Sequence, residues 1–148
     1  PVNSHVRPPK QPLASMGKHQ TSYDPETAPN PATWLSTPES SRVREVATFH
    51  MVHRESAGNQ KAHAAMHVAV ENQIAMGFGP TVRAMQRLQS EGLSRHEAVH
   101  AVASVLAEHL FSVSQAKVKS DSASLQNALN QDIEYLSAKA WRTKYGST

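Results

Sequence analysis

Two pairs of histidines, each spaced four residues apart within an apolar segment, place the strongest constraint on the fold. The first pair, His63 and His67, lies in KAHAAMHVAVENQIAM, and the second, His96 and His100, lies in RHEAVHAVASVLAEHL. On a helix a spacing of four puts both rings on one face, and apolar side chains share that face in both segments. Burying an imidazole without a polar partner costs on the order of 1–3 kcal/mol. The chain must therefore fold so that something satisfies these rings.

A metal ion is the partner that this pattern favours. If the two helical faces pack against each other, four ring nitrogens converge, which suits a tetrahedral zinc site. Carboxylates from Glu71 or Glu97 would instead suit iron or manganese. His96 is expected in the first turn of its helix, where the dipole favours the neutral ring that a metal requires. The expected cofactor is thus a divalent metal ion, zinc before iron or manganese, and its predicted ligands are His63, His67, Glu71, His96 and His100.

Other roles compete for several of these side chains. Glu97 is the candidate catalytic residue, as a general base beside the metal. It also completes a capping box from Ser94, in which the glutamate turns back to the backbone of the cap residue. Glu71 could accept a hydrogen bond from a histidine ring instead of binding the metal. His50 and His53, a further pair in FHMVHRE, could add ligands to the site, but their spacing of three and polar surroundings favour a surface position.

The rest of the chain predicts an all-α protein. No period-two alternation persists, and apolar spacing, caps and glycines indicate helices at about residues 37–55, 60–76, 80–91, 94–111 and 125–141. Seven prolines within residues 1–33 argue against a helix there. We therefore expect two parts, an extended proline-rich arm over residues 1–33 and a helical metal-binding domain over residues 34–148. The domain is expected to be a compact bundle of four to five helices.

Composition excludes several classes of site and partner. The chain has no cysteine, which rules out disulfides, thiolate zinc sites, iron–sulfur clusters and cysteine nucleophiles. A net charge of only +3 and 5% aromatic residues argue against a nucleic-acid binder. No apolar run approaches the roughly 18 residues of a membrane span, so no membrane association and a cytoplasmic location are expected. The extended arm favours assembly into a homo-oligomer or a protein complex.

The motifs resemble those of a known family. The run HAAMHVAVENQ, followed by EGLSRHEAVHAVASVLAEHL, resembles a bacterial family of small helical proteins that is known only as a domain of unknown function. Its members show the same order of His-x-x-Met-His, Glu-x-Gln and His-Glu-x-x-His. The resemblance covers about residues 59–112, with a weaker match in YDPETAPNPATWL. It implies a compact helical domain and brings no activity with it.

A fainter resemblance is to hemerythrin-type bundles, which take His-x-x-x-Glu from one helix and His-x-x-x-His from the next. His67 with Glu71, and His96 with His100, match that order. The His-x-x-x-x-Asp element of that family is missing after His100, which argues against a diiron oxygen carrier. The downstream third ligand of zinc metalloproteases is not evident either.

Three functions are compatible with this pattern. The favoured one is a metal-binding helical protein that uses paired histidines on two helices and serves as a subunit of an oligomer or complex. The second is a metal-dependent enzyme, either a hydrolase or an oxygen-activating enzyme, with a glutamate as general base. The third is a metal-free interaction module with a buried network of histidine and glutamate side chains. The pattern leaves open whether there is catalysis.

Overall fold

The protein is all-helical over the residues that the structure, a computed structural model, describes: 23–53, 59–117 and 119–146. Within these ranges there are seven helices and no strand: α1 (Pro31–Ser36), α2 (Glu39–Val52), α3 (Gln60–Ala75), α4 (Gly79–Ser90), α5 (Arg95–Gln115), α6 (Ser122–Tyr135) and α7 (Ala138–Tyr145). The prediction of an all-α fold is confirmed. Most of the predicted arm, residues 1–22, lies outside the described ranges. In those ranges, no helix combines the length and the apolar character that crossing a membrane requires.

Local sequence signals set most of the helix boundaries. Ser94 caps α5 in a complete capping box with Glu97, and the side chains of Asn59 and Asp121 cap α3 and α6. Gly77 and Gly92 follow α3 and α4 with φ of 70° and 102°, a left-handed conformation that favours glycine. These boundaries agree closely with those expected from the sequence.

The predicted bundle differs from the structure at both ends. Helix α1 begins at Pro31, within the last residues of the predicted arm. The helix predicted over residues 125–141 is two helices, because α6 ends at Tyr135 and Ser137 caps α7. The Arg87 guanidinium donates to the carbonyls of Ile133 and Leu136, at 2.8 and 2.9 Å. These bonds, made by a side chain of α4, satisfy carbonyls at the end of α6.

Helices α3 and α5 form the centre of the fold. Helix α3 packs against α1, α2, α4 and α5, and α5 packs against α3, α4, α6 and α7. One apolar cluster draws residues from all five helices α3, α4, α5, α6 and α7, and it includes the fully buried Leu88, Val102 and Ile133. A second, smaller cluster lies on the α2 side and contains Tyr23, Trp34, Val46, Phe49, Ala64 and Val68. His50 of α2, His67 of α3 and His96 and His100 of α5 lie close together between these helices.

Asn72 links α1 and α2 to the central helix α3. Its side-chain oxygen accepts hydrogen bonds from the Trp34 indole at 2.8 Å and from the Arg42 guanidinium at 2.5 Å. The Arg42 guanidinium also donates to the carbonyl of Thr37, at 2.9 Å, between α1 and α2. One amide oxygen therefore holds both helices that cover the α2 side of the core.

We expect Asn72→Ala to lower the free energy of unfolding by about 1–3 kcal/mol, because the indole N–H of Trp34 loses its acceptor. In a chain of this size each kcal/mol lowers Tm by roughly 2–4 °C. Thermal unfolding followed by circular dichroism measures the change. Gln86→Ala, at an exposed position of α4, is the control and should stay within about 0.5 kcal/mol of the wild type. Equal stability of all three proteins would contradict this role of Asn72.

Candidate metal centre

Four histidines from three helices meet in one cluster. His50 of α2, His67 of α3, and His96 and His100 of α5 each offer one ring nitrogen, and these nitrogens all lie within 4.8 Å of one another. His50 and His67 are buried, and the two α5 histidines are half-buried. A tetrahedral metal with bonds of about 2.0–2.1 Å holds its ligand nitrogens roughly 3.4 Å apart. The cluster is therefore close to the size that a metal ion would impose.

His63 lies at the edge of this cluster. Its Nε2 is 3.2 Å from Nε2 of His50, and its ring centroid is 4.9 Å from that of His100. It is not one of the four residues whose nitrogens lie within 4.8 Å of one another. The structure thus brings His67, His96 and His100 together and places His63 beside them.

His50 takes a central position that the sequence pattern did not favour. It is 3% exposed, and its ring lies 5.1 Å from His67 and 5.8 Å from His100, measured between centroids. The signal that could have found it is helical spacing, since His50 continues the stripe of Val43, Val46 and Ala47 toward the core. His53 is exposed and stacks on Phe49, with its Nδ1 2.8 Å from the Phe49 carbonyl.

Hydrogen bonds fix the tautomer of His67. The Tyr23 hydroxyl donates to Oε2 of Glu71 at 2.5 Å, so its oxygen is left to accept from Nε2 of His67, 3.1 Å away. Nε2 therefore carries the ring proton and Nδ1 carries the lone pair. Nδ1 of His67 is buried and has no hydrogen-bond partner. A buried lone pair without a partner is the feature of this cluster that most needs an explanation.

A second tautomer is fixed in the same way. Nδ1 of His50 lies 2.8 Å from the carbonyl oxygen of Val46, which can only accept, so this nitrogen carries the proton. The lone pair of His50 is consequently on Nε2. A histidine that donates one N–H to a backbone carbonyl while its other nitrogen faces a cluster has the usual arrangement of a metal-binding imidazole.

Glu71 is held by an arginine rather than by the cluster. Its two oxygens accept from the Arg95 guanidinium at 2.7 and 2.9 Å, and the same guanidinium donates to the carbonyl of Pro25 at 2.8 Å. Glu71 is 1% exposed and Arg95 is 9% exposed, so this is a buried, bidentate ion pair. The Tyr23 hydroxyl lies between this carboxylate and His67, so Glu71 contacts Tyr23 and Arg95 rather than a histidine ring. It is not among the four residues that could hold an ion.

Glu97 adopts the capping arrangement. Its Oε1 accepts from the backbone N–H of Ser94 at 3.1 Å, and the Ser94 hydroxyl accepts from the backbone N–H of Glu97 at 3.1 Å. It is half-buried and is likewise absent from the group of possible ligands. These contacts add no support to the predicted catalytic role of Glu97, which stays a prediction.

The cluster favours neutral rings. Burial, and then the neighbouring His100 and His50, lower the pKa of His67 far below its usual range. Burial, and then the neighbouring His96, lower the pKa of His100 from 6.5 to about 3. Burial and the adjacent Glu71 raise the pKa of Tyr23, which keeps the hydroxyl protonated. Neutral imidazole is the form that binds metal ions.

Comparison with known proteins places this site in a family. A family model described as Domain of unknown function (DUF1841) matches residues 32–131. The chain belongs to this family. The expected family resemblance is confirmed, and the matched region of this DUF1841 protein contains the four clustered histidines and His63. Tyr23 lies before it. No curated protein and no solved structure matches the chain.

The lowered pKa values predict an acid-sensitive metal-free protein. The unfolded chain protonates these histidines near pH 6.5, whereas folded His100 takes up its proton only near pH 3. Acidification through this window therefore favours the unfolded state and lowers the free energy of unfolding, by up to a few kcal/mol. Urea unfolding of chelator-treated protein at a series of pH values measures this dependence. His100→Gln should flatten it, and an unchanged slope in that variant would contradict the assignment.

Proposed function

We propose that the protein binds a divalent transition-metal ion, with zinc the first candidate, through His50, His67, His96 and His100. The observation that carries this proposal is Nδ1 of His67, a buried lone pair with no hydrogen-bond partner in a group of four imidazoles. A cation would use this lone pair and would also explain why rings from three helices converge.

A metal-free network explains the same atoms less well. Buried networks persist where each polar atom is paired, and an unpaired buried acceptor costs on the order of 1–3 kcal/mol. The bonds around His67 place its one N–H on Nε2, where it faces Tyr23. Nδ1 is left as an acceptor without a donor. This orientation is costly in a hydrogen-bond network and useful in a metal site.

The donor set favours zinc over manganese. All four candidate ligands are imidazoles, and the carboxylates of Glu71 and Glu97 are engaged elsewhere, by Arg95 and by Ser94. Imidazole suits zinc, copper, nickel and iron, whereas manganese prefers carboxylate and carbonyl oxygens. The ion would join α2, α3 and α5 at one point, so a structural contribution is part of the proposal.

Assembly into a homo-oligomer or a complex remains a prediction, and it rests on the amino-terminal arm. Residues 1–22, which carry most of that arm, lie outside the described ranges. Enzymatic activity with a glutamate base has less support than metal binding, because Glu71 is held by Arg95 and Glu97 by Ser94.

Elemental analysis of the purified protein tests the metal proposal. We expect near-stoichiometric zinc, iron, copper or nickel in the wild type, and its loss in His67→Ala and His100→Ala. A bound ion at a free concentration 1,000 times its Kd raises the free energy of unfolding by about 4 kcal/mol, so both variants should also melt at lower temperature.

His109→Ala is the matched control for these variants. His109 is also on α5, but it pairs with Asp132 at 2.5 Å and belongs to another part of the surface. It should keep the metal content of the wild type. If the wild type takes up no ion even when supplied with each metal, the network hypothesis replaces this proposal.

Tyr23→Phe tests the role of the tautomer. The substitution preserves the ring packing and removes the oxygen that accepts the Nε2 proton of His67, so metal affinity should fall by about 10–100-fold. Competition with a metal chelator measures the affinity, and nitrogen NMR of the metal-free protein reports which ring nitrogen of His67 is protonated. Tyr135→Phe, at a residue that is 78% exposed, is the control. Wild-type affinity in Tyr23→Phe would show that the hydroxyl has no such role.

A further inference from the structure

A groove of about 370 Å³ opens beside the histidine cluster. Its lining includes His63 and His100, so one end of the groove is formed by the cluster itself. Met66 and Trp141 contribute larger apolar walls, and α7 closes one side. Ligand sites of small molecules commonly have volumes of roughly 300–1,000 Å³, so this groove is at the small end of that range.

Small side chains create the space. On α5, the face that carries His100 continues with Ala103 and Ala107, three and seven residues further on, and both line the groove. On α3, Ala62 lies beside His63 and is also part of the lining. Larger residues at these positions would fill the volume and cover the edge of the cluster.

Apart from its two histidines, the groove is lined by no acidic or basic side chain. None of the residues that line it is an aspartate, a glutamate, a lysine or an arginine. Nε1 of Trp141, one of the lining residues, is buried and has no hydrogen-bond partner. An unpaired indole N–H costs free energy in the same way as the unpaired nitrogen of His67. The lining is thus mainly apolar, and the two hydroxyls that it includes donate elsewhere, Ser104 to the carbonyl of His100 and Tyr145 to Glu108.

We infer that this groove binds a small, mainly apolar, uncharged molecule that coordinates the metal through one donor atom at the His63 and His100 end. This inference rests on the proposed metal site and names the class of ligand that the site would take. Zinc sites sometimes expand from four to five ligands, so a shell of four histidines can admit one further donor. The apolar part of the molecule lies against Met66 and the alanines.

Two probes with the same donor test the inference on cobalt-loaded full-length protein. Imidazole supplies the donor alone, and 4-phenylimidazole adds an apolar ring of a size that the groove admits. We expect 4-phenylimidazole to bind at least about tenfold more tightly than imidazole, because its phenyl ring is removed from water in the groove. Visible absorption of the cobalt ion measures both affinities, and the cobalt content is determined after each titration.

Matched variants locate the binding. Ala107→Phe adds a ring inside the groove at an exposed helical position, and Ala65→Phe adds the same ring at an exposed position of α3 that does not line it. Both should keep the cobalt content of the wild type. The preference for 4-phenylimidazole should disappear in Ala107→Phe and persist in Ala65→Phe.

The results of these titrations distinguish failure of the metal site from failure of the groove inference. Failure to take up cobalt overturns the metal site and this inference with it. Cobalt uptake with equal affinity for the two probes, or with a preference that Ala107→Phe leaves intact, overturns the groove inference alone. Sedimentation of the wild type, Ala107→Phe and Ala65→Phe tests whether a second copy of the chain occupies the groove instead. If the wild type self-associates and only Ala107→Phe dissociates, the groove holds a second copy of the chain and the inference is wrong.

Discussion

The buried ion pair between Glu71 and Arg95 is the interaction on which the site depends. It joins α3 to the first residue of α5, and both charges are almost completely removed from water. Removing one partner of such a pair costs about 3–5 kcal/mol, so the register between these two helices is strongly fixed. His67 lies one turn before Glu71 and His96 lies next to Arg95. The ion pair therefore also fixes how the histidines of the two helices face each other.

The same carboxylate connects the ion pair to the chemistry of the cluster. Glu71 accepts from Tyr23, and Tyr23 accepts from His67, so a charge held by Arg95 determines which nitrogen of His67 carries the proton. Arg95 also binds the carbonyl of Pro25, which holds the segment that carries Tyr23. Residues far apart in the sequence thus orient one imidazole. The orientation of His67 therefore depends on Glu71, which is not one of the four residues whose ring nitrogens come together.

Particular residues show how much of the fold was predictable. Asn59, Gly77, Gly92 and Ser94 act through bonds and dihedral angles within a few residues, so the bounds of α3, α4 and α5 follow from the sequence. The break between α6 and α7 is accompanied by bonds from Arg87, a residue nearly fifty positions earlier. Helix α1 likewise buries Trp34 against α3 through Asn72. Such bonds depend on packing between distant segments, which periodicity does not report.

The sequence by itself determined which side chains share a helix face, because a spacing of four residues is a property of the helix alone. On that basis His63, His67, His96 and His100 were predicted to converge, and the structure brings the last three of them together. Only the tertiary structure decided that α2 contributes His50, that His63 lies at the edge and that Arg95 holds Glu71. These outcomes depend on how each helix is rotated about its axis. That rotation is set by the burial of whole faces and by ion pairs between helices, which no single segment encodes.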